Sequence, residues 1–158
     1  MAETALQPIE AYVPHRGAMR LIDRLIEASP EHAVAEVRVP ADGLFVREAA
    51  GRSHVPAWVG LEYMAQAISA WSGARAGREG TAPRLGFLLG TRRYKASVAA
   101  FPSGALLRVE ARHEFISDNG LGMFDCRILL DGAEVTSARV SIYEPADGVD
   151  FLTQSSTE

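Results

Sequence analysis

The sequence has a single cysteine, Cys126, in 158 residues. This excludes an intrachain disulfide framework and any cysteine-rich zinc site. Positive charge is not in excess: 16 basic residues against 20 acidic ones leave a formal charge of −4, so no global basic field exists to hold nucleic acid. The first residues, Met1-Ala-Glu-Thr-Ala-Leu-Gln-Pro, show neither a basic stretch nor an apolar run, so no secretory signal is expected and the cytosol is the default compartment. Also missing are a Gly-x-Ser-x-Gly elbow, a glycine-rich phosphate loop and any metal-ligand spacing; no metal and no cofactor is expected. There is no internal repeat. The 47% hydrophobic and 23% charged content is that of a globular chain, and the length suits one domain over residues 1–147 with a short tail over 148–158.

Two strand-like runs, Leu21 to Ala28 and Ala33 to Val39, flank the turn residues Ser29-Pro30-Glu31. Residues 41–53 read as a polar loop. The texture then changes: from Val55 to Ala74 the chain has 20 residues with one charge, Glu62. Apolar residues are not confined to one stripe, so the pattern predicts a helix buried nearly all round. Its length suits a membrane span, but Pro56, Glu62, Gln66 and the glycine and hydroxyl positions argue for a central helix within a sheet. Four β-type runs follow: Leu85 to Arg92, Ala105 to Ser117, Met123 to Leu130 and Val135 to Tyr143. Asp131-Gly132 marks a tight hairpin. From Arg108 to Phe115 the alternation is clean, with Val109, Ala111, His113 and Phe115 on the apolar face. The order is that of an α+β domain whose sheet curls around one helix, and pairing of sheet edges between two subunits would cover the edges.

Glu62 is the residue most suggestive of chemistry. Trp58, Glu62 and Gln66 recur every fourth position and are expected on one helix face. A carboxyl kept neutral there by desolvation is a ready general acid; the alternative is a structural glutamate satisfied by Gln66 or the backbone. With Pro56 in the first helical turn, the N–H groups of Ala57 and Trp58 would be open donors for a developing oxyanion. Of four histidines, His54 immediately precedes the helix and is the candidate base, or else a loop or capping residue. His113 reads as a core histidine, His15 as structural and His32 as surface. Cys126 reads as a small core residue. Between Arg75 and Lys95 stand Arg75, Arg78, Arg84, Arg92, Arg93 and Lys95 against the single acid Glu79, which fits either an acidic partner or a solvated rim.

Taken together these residues resemble the hotdog-fold 3-hydroxyacyl-acyl-carrier-protein dehydratase family. Val13-Pro14-His15-Arg16 with Met19-Arg20-Leu21-Ile22-Asp23-Arg24 resembles its Leu-Pro-His-Arg…Leu-Val-Asp-Arg opening. Val55-Pro56-Ala57 through Leu61-Glu62-Tyr63-Met64-Ala65-Gln66-Ala67 resembles its helix motif, and Gly86-Phe87 to Lys95 with Phe101-Pro102-Ser103-Gly104 its Phe…Gly…Arg-Phe…Pro-Gly-Asp stretch. The likeness spans about residues 12 to 144. The wording Pro-His-Arg-Gly-x-Met and Val-Pro-Ala-Trp-Val-Gly is nearest a divergent branch implicated in aryl-polyene pigment pathways.

The resemblance implies a dimer, with substrate entering a tunnel at the subunit interface. It implies dehydration of 3-hydroxyacyl thioesters on an acyl carrier protein to trans-2-enoyl thioesters, in fatty-acid-like or polyene biosynthesis. In the family a helix carboxylate works with a histidine 14 residues earlier from the other subunit. Glu62 matches the carboxylate, but Glu48 stands 14 residues before it, and His54 is the nearest histidine. The implied roles are then Glu62 as acid, His54 as base, and Ala57 and Trp58 as thioester-oxygen donors. Trp58, Met64, Gln66, Phe87 and Leu88 would line the acyl tunnel, and Arg75, Arg78, Arg92, Arg93 and Lys95 would dock the carrier protein. Two alternatives stay open: a hotdog thioesterase using Glu62, and a non-catalytic subunit paired with an active hotdog relative.

Overall fold

A computed structural model describes residues 6–80 and 87–144, with the backbone alone of Phe87. Strands β1 (Arg24–Ala28) and β2 (His32–Arg38) open the chain, and β3 (Arg47–Ala49) and β4 (Arg52–Pro56) follow. Helix α1 (Gly60–Glu79) comes next, then β5 (Phe87–Ala96), β6 (Ala100–Pro102), β7 (Leu106–Ile116), β8 (Leu121–Leu130) and β9 (Ala133–Tyr143). Six strands form one antiparallel sheet in the order β1-β2-β7-β8-β9-β5, and β3, β4 and β6 form a second, smaller sheet.

Twelve of the 20 residues of α1 are buried, and they lie all round it: Tyr63, Met64 and Ala67, but also Gln66, Trp71 and Ser72. Such a helix needs cover on every side, as the curled sheet supplies. Val37, Val109, Ile128 and Val140 point inward onto it and are wholly buried, while the intervening residues Glu36, Glu110 and Arg127 pair across the outer face. Strand alternation therefore separates core from solvent. Among the described residues no helix is long and apolar enough to cross a membrane.

Several sequence expectations are corrected. The helix begins at Gly60, not Val55, because Val55 is paired with Phe101 between β4 and β6 and Ala57–Val59 is a 3₁₀ turn. It continues to Glu79, where Gly80 at φ +70° caps it. The supposed loop over 41–53 contains the β3–β4 hairpin. Phe115 leaves the apolar face of β7: a register shift between His113 and Phe115 turns its ring outward, 48% exposed. The run Leu85 to Arg92 begins outside the described residues, and β5 carries it on to Ala96. His32 accepts or donates at Ser29 Oγ across 2.8 Å and closes the β1–β2 turn. Cys126 is a buried core residue on β8, its thiol pushed up by burial.

Candidate active site

One face of α1 opens onto a cavity of about 190 Å³. Its helical lining is Glu62, Ala65, Ser69 and Ser72, spaced three, seven and ten residues from the first. That spacing is a single row on an α-helix. Ile68 widens the floor, Leu88 and Ile142 come from the adjacent strands β5 and β9, and Pro14 and His15 form the remaining wall. The row is not the one expected. Trp58 belongs to the 3₁₀ turn, stands 58% exposed and meets the edge of Phe45 at 5.9 Å. On a 3.6-residue helix Gln66 lies about 40° to one side of Glu62 whereas Ala65, Ser69 and Ser72 lie to the other, and the cavity opens on that other side.

Gln66 is 1% exposed and holds the entry to β1. Its Oε1 accepts from the backbone N–H of Leu21 at 2.8 Å and Ile22 at 3.3 Å, while Nε2 donates to the Met19 carbonyl at 2.8 Å. The amide oxygen and one N–H are thus engaged by backbone, so Gln66 straps this segment to the helix and does not line the cavity. Met64 is fully buried in the core and likewise does not line the cavity. Leu88 does line it, and the side chain of Phe87 lies outside the described residues.

At the far end of the row, Ser72 Oγ donates to Glu144 Oε2 at 2.7 Å and Arg75 Nη2 to Glu144 Oε1 at 2.5 Å. Arg75 also lies 4.7 Å over the Trp71 ring. This corrects the expectation that Arg75 is free for docking: its guanidinium neutralises an almost buried carboxylate. Arg78, Arg92, Arg93 and Lys95 are exposed. Arg93 and Lys95 border a separate trough of about 550 Å³ across the outer sheet face, where Glu110, Arg112, Asp125, Arg127 and Arg139 alternate in sign.

The N–H of Ala57 is not an open donor either. It bonds the Ala99 carbonyl at 3.0 Å, while Tyr94 Oη donates to the Ala57 carbonyl. The β4–β6 pairing carries on into this residue, so it is satisfied as strand backbone and not left over as a helix start. His54 sits on β4, opposite Arg47 on one side and Pro102 on the other, and within one chain it does not line the cavity. Glu48 is exposed on β3.

The residue that sequence reasoning passed over is His15. It shares the cavity with Glu62, is close enough to feel that carboxylate's charge, and has a buried Nδ1 with no hydrogen-bond partner. Burial, the larger influence, lowers its pKa; Glu62 opposes this and Arg16 adds to it. Only the Pro14-His15-Arg16 wording hinted at it, and 47 residues separate it from Glu62. Among the described residues no cluster of side chains could hold a metal ion.

One long helix wrapped by an antiparallel sheet, with a carboxyl-bearing cavity along its flank, defines a hotdog-fold protein. A family model of the ApeP dehydratases matches residues 7–153, and the chain belongs to that family of dehydratases. A chain of the dehydratase heterocomplex ApeI:P from Xenorhabdus doucetiae is 30% identical, with a TM-score of 0.86 over 97% of this chain and 100% of that one. More distant structures share the fold alone. A hypothetical thioesterase with coenzyme A from Streptococcus pneumoniae TIGR4 is 10% identical (TM-score 0.58, covering 78% and 86%). The E. coli phenylacetic acid degradation protein PaaI is 13% identical (TM-score 0.56, covering 75% and 80%). No curated protein sequence matches significantly.

Proposed function

We propose that this cytosolic protein removes water from 3-hydroxyacyl thioesters on an acyl carrier protein, forming trans-2-enoyl thioesters for polyene-type chains. One observation carries the reading: in a chain of the ApeP dehydratase family, Glu62 stands half-buried at one end of a helix face, lined beyond it by Ala65, Ile68, Ser69 and Ser72, that borders a cavity. Glu62 protonates the departing C3 hydroxyl. The acyl chain runs along Ala65, Ile68, Leu88 and Ile142. With the Ala57 N–H engaged by Ala99, the thioester oxygen is left to the neighbouring Trp58 N–H. Exposed Arg78, Arg92, Arg93 and Lys95 attract the acidic carrier protein.

The test is conversion of a 3-hydroxyoctanoyl carrier-protein thioester, followed by enoyl absorbance and by free-thiol release. Dehydration raises the first without the second; a thioesterase does the reverse. Glu62→Gln should lower the enoyl rate about 10²–10⁴-fold, the usual worth of a general acid, with an unchanged melting curve. Full activity in that variant sinks the assignment.

A second reading is favoured by the heterocomplex relative and by Glu48 at the position where the resemblance requires histidine. Here the chain is a subunit that needs a related hotdog partner. Activity that appears only when the partner is added, and that survives Glu62→Gln, supports it.

A further inference from the structure

We propose that His15, from the same chain, is the base that takes the C2 proton while Glu62 protonates the leaving hydroxyl. This rests on the dehydration reading and supplies the partner that His54 does not provide within the chain. The carrying observation is geometric: the His15 ring and Glu62 line one cavity, and Nδ1 of that ring is buried without a partner. Buried polar atoms of purely structural side chains are nearly always satisfied, so an orphaned ring nitrogen beside a half-buried carboxyl calls for a functional explanation.

The segment bearing His15 is built to hold it there. On one side the Tyr12 carbonyl presses on Gly73 so closely that a Cβ at that position would lie 2.1 Å from its oxygen. On the other, Gln66 fastens Met19, Leu21 and Ile22 one helical turn beyond Glu62. Between these anchors Arg16 Nη1 donates to the carbonyls of Val13 at 2.6 Å and His15 at 2.8 Å, and its Nη2 to that of Glu10 at 3.0 Å. The turn is thereby rigid and its one imidazole faces the cavity.

The chemistry balances without a co-reactant. The C2–H bond breaks toward the imidazole, its electron pair becomes the C2=C3 bond, and the C3–O bond breaks. The hydroxyl leaves as water with the proton from Glu62. The imidazolium then returns its proton to the Glu62 carboxylate, directly or through the released water, and the pair is reset with one proton between its members. Burial lowers the His15 pKa and so favours the neutral ring that can accept a proton.

The experiment uses the full chain, with its hotdog partner subunit where activity needs one, and the 3-hydroxyoctanoyl carrier-protein thioester. Enoyl formation and deuterium incorporation at C2 in heavy water are measured for wild type, His15→Asn and His15→Gln. Both His15 variants should lose turnover and C2 exchange by about 10²-fold or more, with KM little changed. In parallel, NMR follows the His15 ring titration in wild type and Glu62→Gln; Arg16, and the Arg75–Glu144 pair farther along the cavity, stay constant. Loss of the Glu62 charge should move the titration to lower pH. An active wild type whose His15 variants turn over and exchange normally overturns the His15 assignment alone. A wild type that forms no enoyl product overturns the dehydration reading and this one with it. If the His15 variants do not fold, an unmoved His15 titration in Glu62→Gln overturns the pairing.

Discussion

Replacing Gln66 with leucine keeps the volume of the side chain and removes every polar contact that ties residues 19–22 to α1. The Ile22 N–H then remains buried with no acceptor, a cost of about 1–3 kcal/mol. The Leu21 N–H and Met19 carbonyl are only part-buried. Water reaches them, and each loses about 0.5–1 kcal/mol. The sum is about 3 kcal/mol, which for a chain of this size lowers Tm by roughly 6–12 °C. Thermal unfolding followed by circular dichroism measures it. Gln66→Glu sharpens the test, because its carboxylate still accepts from Leu21 and Ile22 but sets a second acceptor against the Met19 carbonyl; it should fall between wild type and Gln66→Leu at neutral pH and recover partly on acidification. The strap also anchors the turn carrying His15, so turnover should fall further than the loss of folded protein explains. A Gln66→Leu protein melting within about 2 °C of wild type, too small for even one orphaned buried donor, would refute the reasoning.

Arg75→Met leaves Glu144, with a side chain 9% exposed, beside no cation. The expected loss is about 3 kcal/mol, at the low end for a broken buried pair because the guanidinium is itself 22% exposed. The double variant Arg75→Met/Glu144→Leu should recover most of this in urea unfolding, and a lack of recovery would show that the ion pair is not the cause. His113 stacks on Trp71 at 4.8 Å, and burial, seconded by Arg75, holds its pKa below the ordinary 6.5. The unfolded chain therefore takes up a proton first as pH falls: stability is intact above pH 6.5 and declines below it as far as the folded-state pKa. His15 acts in the same direction. Urea midpoints at about pH 7.5 and 5.5 should differ less in His113→Phe than in wild type; equal differences would exclude His113 as a contributor.

Much of the scaffold was legible because period and punctuation agree. The alternation through Arg108 to Arg112 and the Asp131-Gly132 turn place β7, β8 and β9 without further help, and the nearly charge-free run around Glu62 marks the central helix. Its ends were not legible from apolarity. Val55 is as apolar in a strand as in a helix, and what decides is its partner Phe101, 46 residues away. The apolar run stops at Ala74, and the last turn to Glu79 shows only when Gly80 is weighed as a cap. The same limit governs the site. Glu62 was visible as a charge where none is expected, but the row 62, 65, 69 and 72 depends on where the sheet opens. His15 reaches Glu62 through tertiary contacts made by Tyr12 and Gln66, which no local pattern records. His54 drew attention by nearness along the chain; it lies on the paired strand β4 and does not line this chain's own cavity.

A helix that must be covered on every side sets the timetable of biosynthesis. When Glu79 emerges from the ribosome, β1 to β4 are already outside, whereas β5 to β9 have yet to emerge. At about 5–20 residues per second, the interval until Tyr143 emerges is roughly 3–13 s. Throughout it Met64, Ala67, Ile68 and Trp71 face water without the strands that come to cover them, and β2 waits for a strand some 70 positions downstream. Such a nascent chain is a natural client for a holding chaperone, and slower, cooler expression should raise its soluble yield more than any change to the finished surface.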